Sequence, residues 1–147
     1  MLVVLICNLQ FVTCNCFAQQ NKIDSLQKLL LTQREDTSQI NILLSLEYEY
    51  ASFNPDSALG FATEAKKIAK KIKNNKLLAK SCNALGWDNY VKGNYAEALN
   101  NYFVSLKISE ELKDKNGIGK SLNIIGILFS DQEIGRASCR ERVYVLV

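Results

Sequence analysis

The chain contains no histidine and only one tryptophan and one proline among its 147 residues. The missing histidine removes imidazole acid–base catalysis, His-containing metal sites and any Ser/His/Asp or Cys/His nucleophile system. Cysteine is scarce where it would matter. Cys7, Cys14 and Cys16 lie in an apolar N-terminus and Cys139 in the tail, which leaves Cys82 alone in the body. No disulfide framework can be built there, and the two thiols of "CNC" at 14–16 are too sparse for a metal site. No phosphate-binding glycine loop and no nucleophile with a base is present. Charge of one sign is lacking too. The formal net charge is +3, and residues 134–147 supply two of these through Arg136, Arg140 and Arg142 against Glu141. Such a balance gives no argument for nucleic acid. The acidic pairs Glu47/Glu49 and Glu110/Glu111 point different ways on a helix and read as solvated charge. These absences predict no enzyme, no cofactor and no metal.

The first residues, "MLVVLICNLQFVTCNCFAQQ", are broadly apolar to Ala18 but interrupted by Asn8 and Gln10, which makes a poor membrane span. Cys16-Phe17-Ala18 before Gln19 has the small-x-small form of a cleavage site. Residues 1–18 therefore read as a secretory signal peptide, although no Lys or Arg precedes Lys22 to form a basic leader. The other reading is a buried N-terminal helix. Lipid attachment at Cys14 or Cys16 is disfavoured, since Thr13 and Asn15 stand where a small residue is needed. A cleaved chain begins near Gln19 and is exported, to the periplasm or cell envelope.

The body repeats itself. In "AKSCNALG" (79–86), Lys80, Ser81, Asn83 and Gly86 recur 40 residues on as Lys120, Ser121, Asn123 and Gly126 of "GKSLNIIG". "NPDSAL" (54–59) and "NYAEAL" (94–99) give the same offset through Asn54/Asn94, Ala58/Ala98 and Leu59/Leu99. Each period holds two helices. The middle pair is expected over about 76–91 and 95–112, with Leu99, Tyr102, Phe103, Leu106, Ile108 and Leu112 forming an amphipathic stripe. Asn54 is a good N-cap, Pro55 a good first helical residue, and Asp56 complements the helix dipole. Gly93-Asn94, Asn74-Asn75 and Asn116-Gly117 are expected turns. Gly86 inside a helix costs about 1 kcal/mol against alanine, which is best explained by a neighbouring helix on its bare face. In the basic run "KKIAKKIKNNK" (66–76), Ile68, Ala69 and Ile72 fit a buried stripe, so its lysines form the wet side.

"LGWDNYVKGNYAEALNNYFVSL" (85–106) resembles the tetratricopeptide repeat: Leu85-Gly86, Tyr90, Gly93, Tyr95, Ala98-Leu99, Tyr102 and Leu106 stand at that family's signature positions. The family's small residue after Tyr102 is Ser105 here, a mild change. Glu110 stands where the family closes with proline, so the helix continues and the unit lengthens from about 34 residues to 40. Extended repeats of this kind resemble those of secreted or membrane-tethered regulators in Bacteroidetes-type bacteria. The resemblance covers about 37–132, with "IDSLQKLLL" (23–31) as a leading helix. It implies an all-α, α-α superhelix of the tetratricopeptide (TPR) type, a solenoid of about 2.5 repeats over 19–132.

By the same resemblance, the first helix of each pair lines a concave groove that holds a peptide or protein segment. The groove residues are then Lys80, Asn83, Trp87, Tyr90, Lys120, Asn123 and Ile127, the first four sharing a helix face. The lysines and asparagines would hold carboxylates and backbone, and Trp87 and Tyr90 would supply amphipathic contact area. The other reading packs Trp87 and Tyr90 against the next helix. The implied function is a protein-interaction scaffold, the exported N-terminal region of a longer signalling protein with a possible membrane tether. A free-standing secreted or lipid-anchored binding protein is the alternative. The implied partner is a protein or peptide, not nucleic acid.

The family pattern runs through Gln132 and then stops, where a glycine is expected but Glu133 stands. "IGRASCRERV" resembles the conceptual translation of a short-read sequencing adapter, and 133–147 read as a tail foreign to the repeat. On this reading the third unit has a first helix and no second. Ile124, Ile125, Ile127, Leu128 and Phe129 then lack a partner, and fraying after about Gly117, or association through that patch, is expected.

Overall fold

The computed structural model describes residues 19–32 and 36–144, with side chains described as far as Asp131. The expected leader over 1–18 lies outside the described residues. Six helices and no strand occur among those described. They are α1 over 19–32, α2 Thr37–Tyr50, α3 Pro55–Lys71, α4 Asn75–Val91, α5 Tyr95–Glu111 and α6 Lys115–Tyr144. The fold is all-α, as expected. Both α3/α5 and α4/α6 begin 40 residues apart, so the period seen in the letters is the period of the structure.

Local chemistry fixes the helix ends. The Asn54 side chain accepts from the Ser57 amide at 3.1 Å, with Pro55 and Asp56 in the first turn as expected. Asp36 and Asn74 cap α2 and α4 in the same way. Each of α3, α4 and α5 ends in one left-handed residue, Lys73 (φ 54°), Gly93 (φ 77°) or Lys113 (φ 55°). The amide after each turns back to a carbonyl five residues earlier: Asn74 to Ala69, Asn94 to Asn89, Asp114 to Ser109, at 2.8–3.0 Å. This double closure is the Schellman pattern, which satisfies carbonyls that a helix end leaves open. It also corrects one expectation. The turn between α5 and α6 lies at Leu112–Asp114, and Asn116 and Gly117 are inside α6. Lys113 occupies the slot of Lys73, and that backbone geometry outweighs the turn preference of Asn-Gly.

Two apolar clusters hold the stack. Ile40, Leu43, Ala65, Ile68, Ala69 and Leu77 join α2, α3 and α4, with Leu30 of α1 against them. Ala98, Tyr102, Ile125 and Leu128 join α5 to α6. Gly86 is explained as the sequence suggested: a Cβ there would stand 2.7–2.9 Å from the Tyr102 ring. Ile68 and Ala69 are buried and Lys67, Lys70 and Lys71 exposed, which places the basic run on the wet side of α3.

The third unit departs from expectation in two ways. Ile125 and Leu128 are buried against α5 rather than unpartnered, while Ile127 and Phe129 are exposed. The backbone of α6 runs on as helix to Tyr144, through the point where the repeat pattern stops. No second helix of this unit follows among the described residues.

Candidate functional site

The first helices of the pairs, α2, α4 and α6, lie side by side and in contact, and their shared face carries the expected groove residues. Lys80, Asn83 and Lys120 meet in a shallow hollow of about 100 Å³, joined by Lys76 and Asn116. Ser121 Oγ donates to Asn83 Oδ1 at 3.3 Å, which ties α6 to α4 at that point. Lys80 also borders a second hollow of about 360 Å³ with Lys22, Asn41 and Tyr48. This end of the face is cationic and rich in amide groups.

Trp87 stands apart from the lysines. It borders a hollow of about 580 Å³ together with Glu47, Tyr48, Pro55 and Val91. Its ring is 44% exposed, so an apolar surface is left open rather than closed by the neighbouring helix. Tyr90 behaves differently. Its hydroxyl donates to Asp131 at 2.7 Å across to α6, and its ring lies 5.5 Å from Trp87 and 6.0 Å from Tyr95. The Asp131 hydrogen bond, with burial, holds the Tyr90 phenol above its ordinary pKa. Tyr90 therefore braces the face from behind while Trp87 presents itself. Asn123 and Ile127 are exposed on α6. They line none of the three hollows.

The face also holds residues that sequence reasoning read otherwise. Glu47 and Glu49 are buried, not solvated. Glu49 pairs with Lys22 of α1 at 2.5 Å and its carbonyl accepts from Gln19, which pins the leading helix to α2. Glu47 meets Asp88 of α4, at 8% and 2% exposure. Burial and then the Asp88 charge raise Glu47 to about 7; burial raises Asp88 to about 6. Asp88 Oδ2 is buried without a hydrogen-bond partner. Lys92, whose charge acts on Asp88, is paired with Asp56. The repeat carried a signal for this site. Asp88 falls 40 residues before Leu128, so it occupies a slot that the next unit fills with a buried leucine.

Chemically, the face offers lysine and amide donors at one end and an open aromatic patch over a buried acid pair at the other. Among the described residues no cluster of three metal-ligating side chains forms. No described helix is long and apolar enough to cross a membrane. Cys82 is a buried free thiol whose pKa burial raises, which makes it a packing residue rather than a nucleophile. Compared with known families, residues 17–117 match the model of the SusR N-terminal TPR domain. No curated protein matches the chain.

Proposed function

The chain belongs to the SusR N-terminal TPR domain family, a protein-interaction scaffold, and from that premise we propose that its partner lies along the face of α2, α4 and α6. The observation that carries this is the juxtaposition of an open Trp87 with the lysine hollow of Lys80, Asn83 and Lys120 on adjacent helices. An extended protein segment fits that arrangement. Its carboxylates and carbonyls would meet the lysines and asparagines, and an apolar side chain would cover Trp87 and Tyr48. Tyr90, Asn123 and Ile127 would support the rim.

Peptides selected from a random library on the immobilised chain test this. Trp87→Ala and Lys80→Glu should each weaken the selected peptides about tenfold or more, a loss of roughly 1–2 kcal/mol. Lys67→Glu on α3 should leave them unchanged. Equal effects from all three variants would remove the groove assignment.

The wider reading is an exported N-terminal interaction region of a longer signalling protein, with residues 133–147 as adapter-derived sequence. The family description supports the N-terminal placement, and the match ends at Gly117, before the tail. Export is tested by finding a mature chain in the envelope fraction that starts near Gln19. The genomic locus beyond codon 132 tests the rest: a native coding sequence for "IGRASCRERV" would sink the adapter reading, and a free-standing stop soon after would favour a secreted binding protein.

A further inference from the structure

We propose that the hollow at Trp87 takes a basic side chain of the bound partner, its alkyl stem over Trp87 and Tyr48 and its cationic head on Glu47. In naming a partner's side chain this rests on the groove reading above; the acid inside the hollow is a separate observation. The hollow, of about 580 Å³, has room for a long side chain. Pro55 and Val91 give it apolar walls, and the rings of Trp87 and Tyr48 stand open at its edge, at 44% and 76% exposure. Open rings of this kind hold an alkyl stem by contact area and a cation through the negative face of the π system.

Glu47 sets the charge of the occupant. It is more than nine-tenths buried, and the part it exposes opens into the hollow. Trp87 follows it by 40 residues, so the two hold the same position on consecutive first helices. Asp88 stands against Glu47, almost wholly buried, with Oδ2 unpartnered. Among the described residues no ion pair includes either carboxyl. The lysines at hand are engaged elsewhere, Lys22 of α1 on Glu49 and Lys92 of α4 on Asp56 of α3. Burial and the Asp88 charge push Glu47 up to about 7, and no described cation offsets them. A carboxyl buried without a cation costs stability. An incoming ammonium or guanidinium group would supply the missing charge. A purely apolar side chain would cover the rings and leave the acid unpaired.

Trp87 is the single tryptophan of the chain, so its emission reports this hollow alone. N-acetyl-lysine methylamide is titrated into the full chain, with N-acetyl-norleucine methylamide as the uncharged shape match and cadaverine as a free amine. At pH 8 the lysine probe should saturate and bind about tenfold or more tighter than the norleucine probe. At pH 5 Glu47 and Asp88 hold their protons, and the lysine affinity should fall about tenfold or more. The other titratable and charged groups around the pair are the Lys22–Glu49 and Lys92–Asp56 ion pairs and Tyr102 of α5, whose phenol burial and the two carboxylates hold well above its ordinary value. Glu47→Gln assigns the effect among them. In a variant shown to be folded by its helix content and Tm, both the lysine preference and its pH dependence should vanish. Equal affinity for the lysine and norleucine probes overturns the proposal, as does lysine binding unchanged in Glu47→Gln. Silence of Trp87 at tens of millimolar lysine probe does so too. Cadaverine bound about tenfold tighter than the lysine probe gives the hollow to a free polyamine and also overturns it. The probe is a single residue, so each of these results leaves the selected peptides of the groove test standing. Conversely, selected peptides that ignore Trp87→Ala and Lys80→Glu would remove the groove and leave the lysine titration as it is.

Discussion

Glu47 and Asp88 lie buried side by side between α2 and α4, and burial raises both carboxyls above their ordinary range. In the unfolded chain these groups ionise near 4.5 and 3.8; in the fold they are raised to about 7 and about 6. The folded state therefore binds more protons than the unfolded state across that window. Its stability is full below about 4 and falls as pH rises through 6 and 7. The comparison is best made between pH 5 and 8, the window these two groups span. Thermal unfolding should show the protein more stable at pH 5 by roughly 2 kcal/mol. Glu47→Gln keeps a donor for Asp88 without a charge; it should remove most of that dependence and raise the Tm at pH 8. The pair was not legible from hydropathy, because Glu47-Tyr48-Glu49 alternates without a buried period. The only trace was positional, Asp88 standing where the next unit has Leu128. Trp87 and Lys80 were legible as exposed positions on one face of α4, since helical spacing from Gly86 puts them beside the buried stripe. Tyr90 shares that spacing, but its hydroxyl found Asp131 on the next helix, a contact that local periodicity cannot foretell.

The helices themselves were read to within a residue or so where caps and repeat agreed. Asn54, Pro55 and Gly93 each carry a local physical reason that needs no tertiary information. Asn116-Gly117 misled because its composition favours a turn, while the three left-handed residues Lys73, Gly93 and Lys113 recur every 20 residues and set the helix ends. That spacing is a property of the helix pair, and lysine in two of its slots hides it from a search for glycine. The strain at these lysines is measurable. Lys113→Gly should stabilise the protein by up to about 1 kcal/mol, since glycine takes positive φ without a Cβ clash. Gly93→Ala should destabilise by a similar amount, about 1 kcal/mol. Chemical denaturation of the two variants, one moving up and one down from wild type, checks the pair.

As a whole the molecule is a short stack in which each helix is held mainly by its neighbours in sequence, with longer-range side-chain contacts such as Tyr90–Asp131 between first helices and Lys66–Asn101 between second helices. That geometry makes one continuous face from α2 through α4 to α6, with its cationic end at Lys80 and Lys120 and its aromatic end at Trp87. The outer helices α3 and α5 turn exposed lysines such as Lys67 and Lys107 away from it. The measurement that tests this division most directly is photo-crosslinking in the source cells. A photoreactive residue is placed at 80, 83 or 87 on the inner face and at 67 or 107 on the outer. The account predicts discrete protein adducts from the inner positions and none from the outer. Adducts from 67 and 107 with the inner positions silent would contradict it.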